Sequence, residues 1–124
     1  MEQKKVLIID DDARNIFALK AVLRSRGIPC VSAATGAEGL ALLEREEDVA
    51  VVLMDIMMPD MDGYETIAAL RAKEGRQYLP VIAVTAQAMV GDREKCIEAG
   101  ADNYISKPVD VDVLLSQLQQ YLSS

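Results

Sequence analysis

Five short runs of apolar residues recur along the chain, separated by longer segments in which apolar residues return at helical spacing. The runs are KVLIID at 5–10, IPCVSA at 28–33, VAVVLM at 49–54, PVIAV at 80–84 and NYIS at 103–106. Three of them consist almost entirely of Val, Ile, Leu and Ala, which is typical of strands covered on both faces. The pattern therefore predicts five buried strands.

The segments between the runs predict five helices. These cover 13–27, a stretch opening at Thr35, a stretch following Asp62, about Val90 to Ala99, and 110–122. In the first helix Ile16, Leu19 and Leu23 form one apolar stripe. Thr35 and Asp62 are each followed by a glutamate three residues later, which is the spacing of a capping box.

Strict alternation of strands and helices indicates a parallel sheet with right-handed crossovers and helices on both faces. Five such units predict an α/β fold, a single doubly wound flavodoxin-like (βα)5 domain with strand order 2-1-3-4-5. We expect one domain over residues 1–124, with no output domain. Ligands of such sheets bind at the carboxyl edge, near the switch point between strands 1 and 3.

Composition narrows the possible functions. With 51% hydrophobic and 27% charged residues the chain suits one compact core, and neither a membrane-spanning stretch nor a secretory signal is visible, so we expect a cytoplasmic protein. A net charge of −7 disfavours non-specific binding to nucleic acid or to anionic membranes. The absence of histidine excludes serine–histidine catalysis, histidine-ligated zinc and a histidine phosphocarrier within this chain. Cys30 and Cys96 are predicted to be small buried thiols rather than a disulfide or a metal site.

The predicted strand ends carry the chemically active residues. Strand 1 ends in Asp10 and Asp11, strand 3 runs into Asp55, strand 4 runs into Thr85, and strand 5 leads to Lys107. Carboxylates crowded on a half-buried edge raise one another's pKa. A hard divalent cation would relieve that cost, and ligands that offer only oxygen favour Mg²⁺, with Mn²⁺ as an alternative.

This arrangement suggests a role for Asp55. An ionised carboxylate can attack phosphorus and form an aspartyl phosphate without a general base. Lys107 could pair with one phosphoryl oxygen and the Thr85 hydroxyl could donate to another. Asp12, by contrast, is predicted to cap the first helix.

Four motifs, VLIIDDD, VLMDIMMPDMDG, VIAVTA and AGADNYISKP, stand in an order and spacing that resemble the receiver domain of two-component response regulators, over essentially the whole chain. The resemblance implies a role for each matching residue. It implies that Asp55 is the phosphoacceptor, that Asp11, Asp55 and the backbone carbonyl of Met57 bind Mg²⁺ directly, and that Asp10 binds it through water. It also implies that Thr85 and Lys107 are the phosphate-sensing pair and that Tyr104 is the switch aromatic. The peptide bond between Lys107 and Pro108 is implied to be cis.

The resemblance also implies partners. The donor would be a phosphohistidine on a sensor histidine kinase or a histidine phosphotransfer protein, docking beside the first helix, where Phe17 is either exposed or part of the core. Output to an unidentified protein would use the fourth helix, fifth strand and fifth helix, with Lys95, Tyr104, Val109 and Val111 as candidates. The protein would be a monomer or a phosphorylation-dependent dimer, without a nucleic-acid partner.

Several alternatives remain open. A phosphohydrolase of the haloacid dehalogenase type also uses a strand-end aspartate and Mg²⁺, but it needs an acid two residues later, where this chain has Met57. A receiver used only as a docking module is the second alternative. A flavodoxin-like cofactor carrier is disfavoured by the acidic DDDARN loop, and a nucleotide-binding protein by the absence of glycine-rich phosphate motifs. We therefore expect a signalling domain that catalyses only its own phosphorylation and dephosphorylation.

Overall fold

The computed structural model describes residues 4–58, 62–73, 75, 77–86 and 91–123 of the chain. Strands and helices alternate through these residues, as the hydrophobic pattern predicts. The strands are β1 (Lys5–Ile9), β2 (Cys30–Ala33), β3 (Val49–Asp55), β4 (Val81–Thr85) and β5 (Asn103–Ser106). The helices are α1 (Ala13–Ser25), α2 (Gly36–Arg45), α3 (Gly63–Ala72), α4 (Asp92–Glu98) and α5 (Val111–Leu122).

The five strands form one parallel sheet in the order β2-β1-β3-β4-β5, which confirms the predicted flavodoxin-like topology. Ile9 pairs with Met54 across β1 and β3, and Asp55 pairs with Val84 across β3 and β4. The carboxyl ends of the strands therefore lie side by side. Residues that follow β1 and residues that end β3 and β4 meet at this edge, although they are distant in sequence.

Each strand divides its side chains between two cores, because successive residues of a strand point to opposite faces. In β1, Val6 and Ile8 pack with leucines of α1 and α5, whereas Leu7 and Ile9 pack with buried residues of α2, α3 and α4. The strands of the sheet's centre are buried almost completely on both sides. This explains why their sequences are continuous apolar runs rather than alternating patterns.

The helix starts follow the capping signals in the sequence. The Asp12 side chain accepts a hydrogen bond from the Arg14 backbone N–H, which confirms its predicted capping role. Asp62 forms a complete capping box with Glu65. At Thr35 the hydroxyl accepts from the backbone of the glutamate three residues on, but that carboxylate reaches the N–H of the residue before Thr35, so the box is incomplete.

Several predicted boundaries shift by one or two residues. The first helix ends at Ser25, two residues before Gly27, and β2 begins at Cys30 rather than at residue 28. β3 and β4 each extend one residue further than the apolar pattern, to Asp55 and Thr85. The predicted start of the fourth helix at Val90 lies outside the described residues.

The helix α4 is short and has unusual ends. Its N-cap, Gly91, has a φ of +94° and makes no side-chain capping hydrogen bond, and Gly100 follows the helix with a φ of +117°. Both values lie in the left-handed region, which glycine adopts without steric cost. The two glycines therefore define a helix of only seven residues.

Arg71, near the end of α3, ties together the amino-terminal ends of β4 and β5. Its guanidinium donates to the backbone carbonyls of Gln77, Leu79 and Gly100 and to the carboxylate of Asp102. The same Asp102 oxygen accepts the first N–H of β4, at 2.8 Å. One long side chain thus fixes the sheet edge opposite the aspartates.

Two expectations from composition can also be checked. In the part of the chain that the structure covers, no helix has the length and apolarity needed to cross a membrane. Both cysteines are free thiols, as predicted, and Cys96 is buried, but Cys30 is only half-buried.

Candidate functional site

The carboxyl edge of the sheet brings together the polar residues singled out at the strand ends. Asp10, Asp55 and Thr85 are nearly inaccessible to solvent, with 2%, 3% and 2% of their surface exposed. Asp11 is exposed and Lys107 is half-buried. Buried carboxylates are rare unless they have a partner, so Asp10 and Asp55 need a cation or hydrogen-bond donors close by.

Asp10, Asp11 and Asp55 form a compact group of carboxylates. One oxygen from each can be chosen so that all three lie within 4.8 Å of one another. Three hard oxygen donors at this separation fit a divalent cation of the Mg²⁺ type, which prefers carboxylate and water ligands. The Met57 backbone N–H donates to Asp55 Oδ1 at 3.2 Å and holds the carboxylate in place. Ligation by the Met57 carbonyl stays a prediction.

Lys107 supplies the positive charge of the site. Its Nζ lies 3.3 Å from Asp10 Oδ2 and 3.6 Å from Asp55 Oδ1, so the ammonium bridges the two buried carboxylates. The Lys107 backbone N–H donates to the Thr85 carbonyl at 2.8 Å, which fixes the loop to the end of β4. The peptide bond between Lys107 and Pro108 is cis, the geometry that the resemblance implies.

The structure adds a residue that the sequence did not single out as part of the site. The side-chain amide of Asn15, in the first turn of α1, donates to Asp10 Oδ2 at 2.6 Å. The other oxygen of Asp10 accepts the Asp12 backbone N–H at 2.8 Å. Asp10 is therefore held by a helix, a loop and the lysine. The only feature of the sequence that could have indicated this contact is the presence of an asparagine five residues after Asp10.

The surroundings of Asp55 oppose its ionisation. Burial raises the pKa of Asp55 to about 7, and the neighbouring charge of Asp10 adds to the increase. The Lys107 ammonium and the Met57 N–H oppose this increase but do not cancel it. A divalent cation bound beside the three carboxylates would favour the ionised form of Asp55.

Tyr104 lies on β5 beside α4. Its side chain is half-buried and packs against the core on the α2, α3 and α4 side of the sheet. Burial raises its pKa, with smaller contributions from Asp92 and Cys96. Cys96 also approaches the hydroxyl of Tyr64 at 3.9 Å, so α4 is held between a tyrosine of α3 and a tyrosine of β5.

The faces predicted to meet partners are partly apolar. Phe17 on α1 is 78% exposed, which resolves the open question of whether it belongs to the core. Val111 and Val113, at the start of α5, are 39% and 44% exposed. A groove of about 300 Å³ runs between α1 and this end of α5, and Asn15 and Lys107 contribute to its wall. Of the other candidates for the output face, Lys95 is exposed and Val109 is half-buried.

Comparison with known proteins identifies the family. A family model described as the response regulator receiver domain matches residues 6–119. The chain is 35% identical over 119 residues to the polar-differentiation response regulator DivK of Brucella ovis, covering 96% of both proteins. It is 34% identical to the hybrid signal transduction histidine kinase I of Dictyostelium discoideum over 98% of this chain, but it spans only 8% of that kinase.

Solved structures agree with this assignment. The receiver domain of the sensor histidine kinase PA1611 from Pseudomonas aeruginosa PAO1, with a magnesium ion coordinated in its active site cleft, superimposes with a TM-score of 0.88. The two are 34% identical, with 98% of this chain and 99% of that chain covered. The chemotaxis protein CheY4 of Vibrio cholerae superimposes with a TM-score of 0.89 at 28% identity, covering 97% and 99% of the two chains.

Proposed function

The chain belongs to the family of response regulator receiver domains, and we propose that it accepts a phosphoryl group from a phosphohistidine donor onto Asp55. The observation that carries this proposal is the position of Asp55. It is a buried carboxylate at the end of β3, faced by two other carboxylates and by the Lys107 ammonium. Among the described acidic residues, only Asp10 and Asp55 combine burial, a cationic partner and a place beside potential metal ligands. Of these two, the resemblance to receiver domains assigns the phosphoacceptor role to Asp55.

The chemistry follows from the residues around Asp55. One oxygen of the ionised carboxylate attacks phosphorus, and the new O–P bond forms while the P–N bond to the donor imidazole breaks. The imidazole nitrogen keeps the electron pair of that bond. Lys107 is within reach of both buried carboxylates, so a small movement would bring its ammonium to a phosphoryl oxygen.

The acidic group fits Mg²⁺, with Mn²⁺ as the alternative. Asp11, Asp55 and the Met57 carbonyl would hold the ion directly and Asp10 through water. The bound ion would neutralise charge on the transferring group. The related PA1611 receiver, whose cleft holds magnesium, supports this assignment. The attack needs the ionised form of Asp55, whose pKa is about 7. A bound cation would lower this pKa, and a larger fraction of Asp55 would then be ionised and able to react.

Phosphorylation would act as a conformational switch. The new group brings roughly −1.5 to −2 charges and three acceptor oxygens to a site next to Thr85. The Thr85 hydroxyl would donate to one of these oxygens, and Tyr104 would repack in the space that is vacated. The affected surface is the face of α4, β5 and α5, where the downstream protein would bind.

The proposed partners follow from the family and the exposed surface. The donor is a sensor histidine kinase or a histidine phosphotransfer protein that docks beside Phe17, in the bacterial cytoplasm. The domain catalyses only its own phosphorylation and dephosphorylation. A haloacid dehalogenase type of hydrolysis lacks its general acid, because Met57 occupies that position. The receiver would act as a monomer or as a dimer formed on phosphorylation.

The test is intact mass spectrometry after incubation with acetyl phosphate, with and without Mg²⁺. We expect the wild type to gain the mass of one phosphoryl group only when Mg²⁺ is present, and Asp55→Asn to gain none. Asp12→Asn is a matched control, because Asp12 caps α1 and lies outside the acidic group. No adduct, together with no binding of beryllofluoride, would refute the proposal and favour a docking module that does not depend on phosphorylation.

A further inference from the structure

We infer that Asn15 is a positioning residue for the metal and phosphoacceptor site, acting through the carboxylate of Asp10. The Asn15 side-chain nitrogen lies 2.6 Å from Asp10 Oδ2. An ionised carboxylate can only accept hydrogen bonds, so the amide must present its N–H groups to it. This inference rests on the proposed function, because it assigns a role to Asn15 at that same site.

The hydrogen bonds of Asp10 show why one more donor matters. Asp10 is 2% exposed, so solvent cannot satisfy its oxygens. Oδ1 accepts the Asp12 backbone N–H at 2.8 Å, which fixes one oxygen to the loop after β1. Oδ2 is shared by the Asn15 amide and the Lys107 ammonium, the latter at 3.3 Å. The orientation of the carboxylate therefore depends on two side-chain donors at a single oxygen.

The two donors have different fates in the proposed reaction. Lys107 has to turn towards the phosphoryl group, and its ammonium also faces Asp55 at 3.6 Å. Asn15 belongs to the first turn of α1, a helix anchored in the core by Leu19 and Leu23. When Lys107 moves away, Asn15 is the side chain that keeps Asp10 in its orientation. Hydrogen-bond partners of metal ligands typically change metal affinity by 10- to 100-fold when they are removed.

The experiment measures Mn²⁺ affinity by electron paramagnetic resonance, with urea unfolding in EDTA as a separate measure of folding. Asn15→Leu keeps the side-chain shape and removes the donor, and Asn15→Ala serves if the leucine variant folds poorly. Asn15→Gln keeps an amide on a longer arm. We expect the leucine variant to bind Mn²⁺ about 10-fold more weakly and the glutamine variant to recover part of the loss. The unfolding midpoint in EDTA measures separately what the loss of one donor to the buried Asp10 costs in stability.

A double-mutant cycle tests whether Asn15 acts through Asp10. In an Asp10→Asn background the carboxylate is gone, so Asn15→Leu should change the Mn²⁺ affinity by less than about twofold. A full loss in that background would overturn the inference, as would wild-type affinity in the Asn15→Leu single variant. If the wild type itself binds no Mn²⁺, the proposed metal site fails together with this inference. If the wild type binds Mn²⁺ and the Asn15 variants bind it equally well, only this inference fails and the proposed function stands.

Discussion

The raised pKa of Asp55 makes the stability of the metal-free protein depend on pH in an unusual direction. Buried in the folded protein, Asp55 has a pKa of about 7, against an ordinary value of 3.8. Between these values the folded state holds a proton that the unfolded state has released. The contribution of this group to stability is therefore full below its unfolded pKa and is lost as pH rises through about 7.

The size of the effect follows from the same two values. At about 1.4 kcal/mol per pH unit, the full difference between 3.8 and about 7 corresponds to about 4 kcal/mol. Between pH 5 and pH 8, a range that avoids most other carboxylates, the free energy of unfolding should fall by about 3 kcal/mol. That is a large share of the stability of a small domain.

Urea unfolding in EDTA at several pH values, followed by circular dichroism because the chain has no tryptophan, measures this effect. The matched control is Asp55→Asn, whose side chain does not titrate, so the difference between the two proteins isolates the aspartate. Saturating Mg²⁺ at pH 8 should restore stability to the wild type and much less to the variant. If the two proteins keep a constant difference from pH 5 to pH 8, the argument about burial and charge at this site is wrong.

Three further predictions concern the scaffold and the docking surface. Arg71→Ala removes five hydrogen bonds and should lower the free energy of unfolding, measured in urea, by about 3 kcal/mol. The control is Lys73→Ala, which removes an exposed ion pair, and an equal or larger loss in that variant would contradict the prediction. Gly36→Ala places a Cβ far inside van der Waals contact of Thr66 Oγ1 and should cost about 1–3 kcal/mol by thermal unfolding, and an unchanged melting temperature would contradict this. Phe17→Ser should leave the melting temperature and labelling by acetyl phosphate unchanged but slow transfer from a phosphohistidine protein; equal transfer rates would remove Phe17 from the docking surface.

The sequence predicts the sheet well because the central strands are buried on both faces and read as continuous apolar runs. It places the ends of β3 and β4 one residue early, since the pattern of apolar residues stops at a polar side chain although the backbone ladder continues. The Ile56 N–H still donates to the Val84 carbonyl at 3.1 Å, beyond Asp55. A polar residue ends the apolar run, whereas the last backbone hydrogen bond ends the strand.

The sequence also predicts which residues meet at the carboxyl edge, because topology alone brings strand ends together. It could not predict the contact of Asn15 with Asp10, which depends on the path of the loop and on one rotamer. Arg71 is a similar case, since its main partner, Gly100, lies 29 residues away. A basic residue in the last turn of a helix reads as solvated until the fold places carbonyl groups around it.

The division of the core by the sheet has an evolutionary consequence. Among the described buried residues, those that pack with α1 and α5 are distinct from those that pack with α2, α3 and α4. Substitutions on the α1 surface around Phe17 and substitutions on α4 should therefore have additive effects on stability, because they share no packing partner. After gene duplication, one copy could acquire a new phosphodonor without compensating changes on α4, whereas α5, which also belongs to the proposed output face, shares its core with α1.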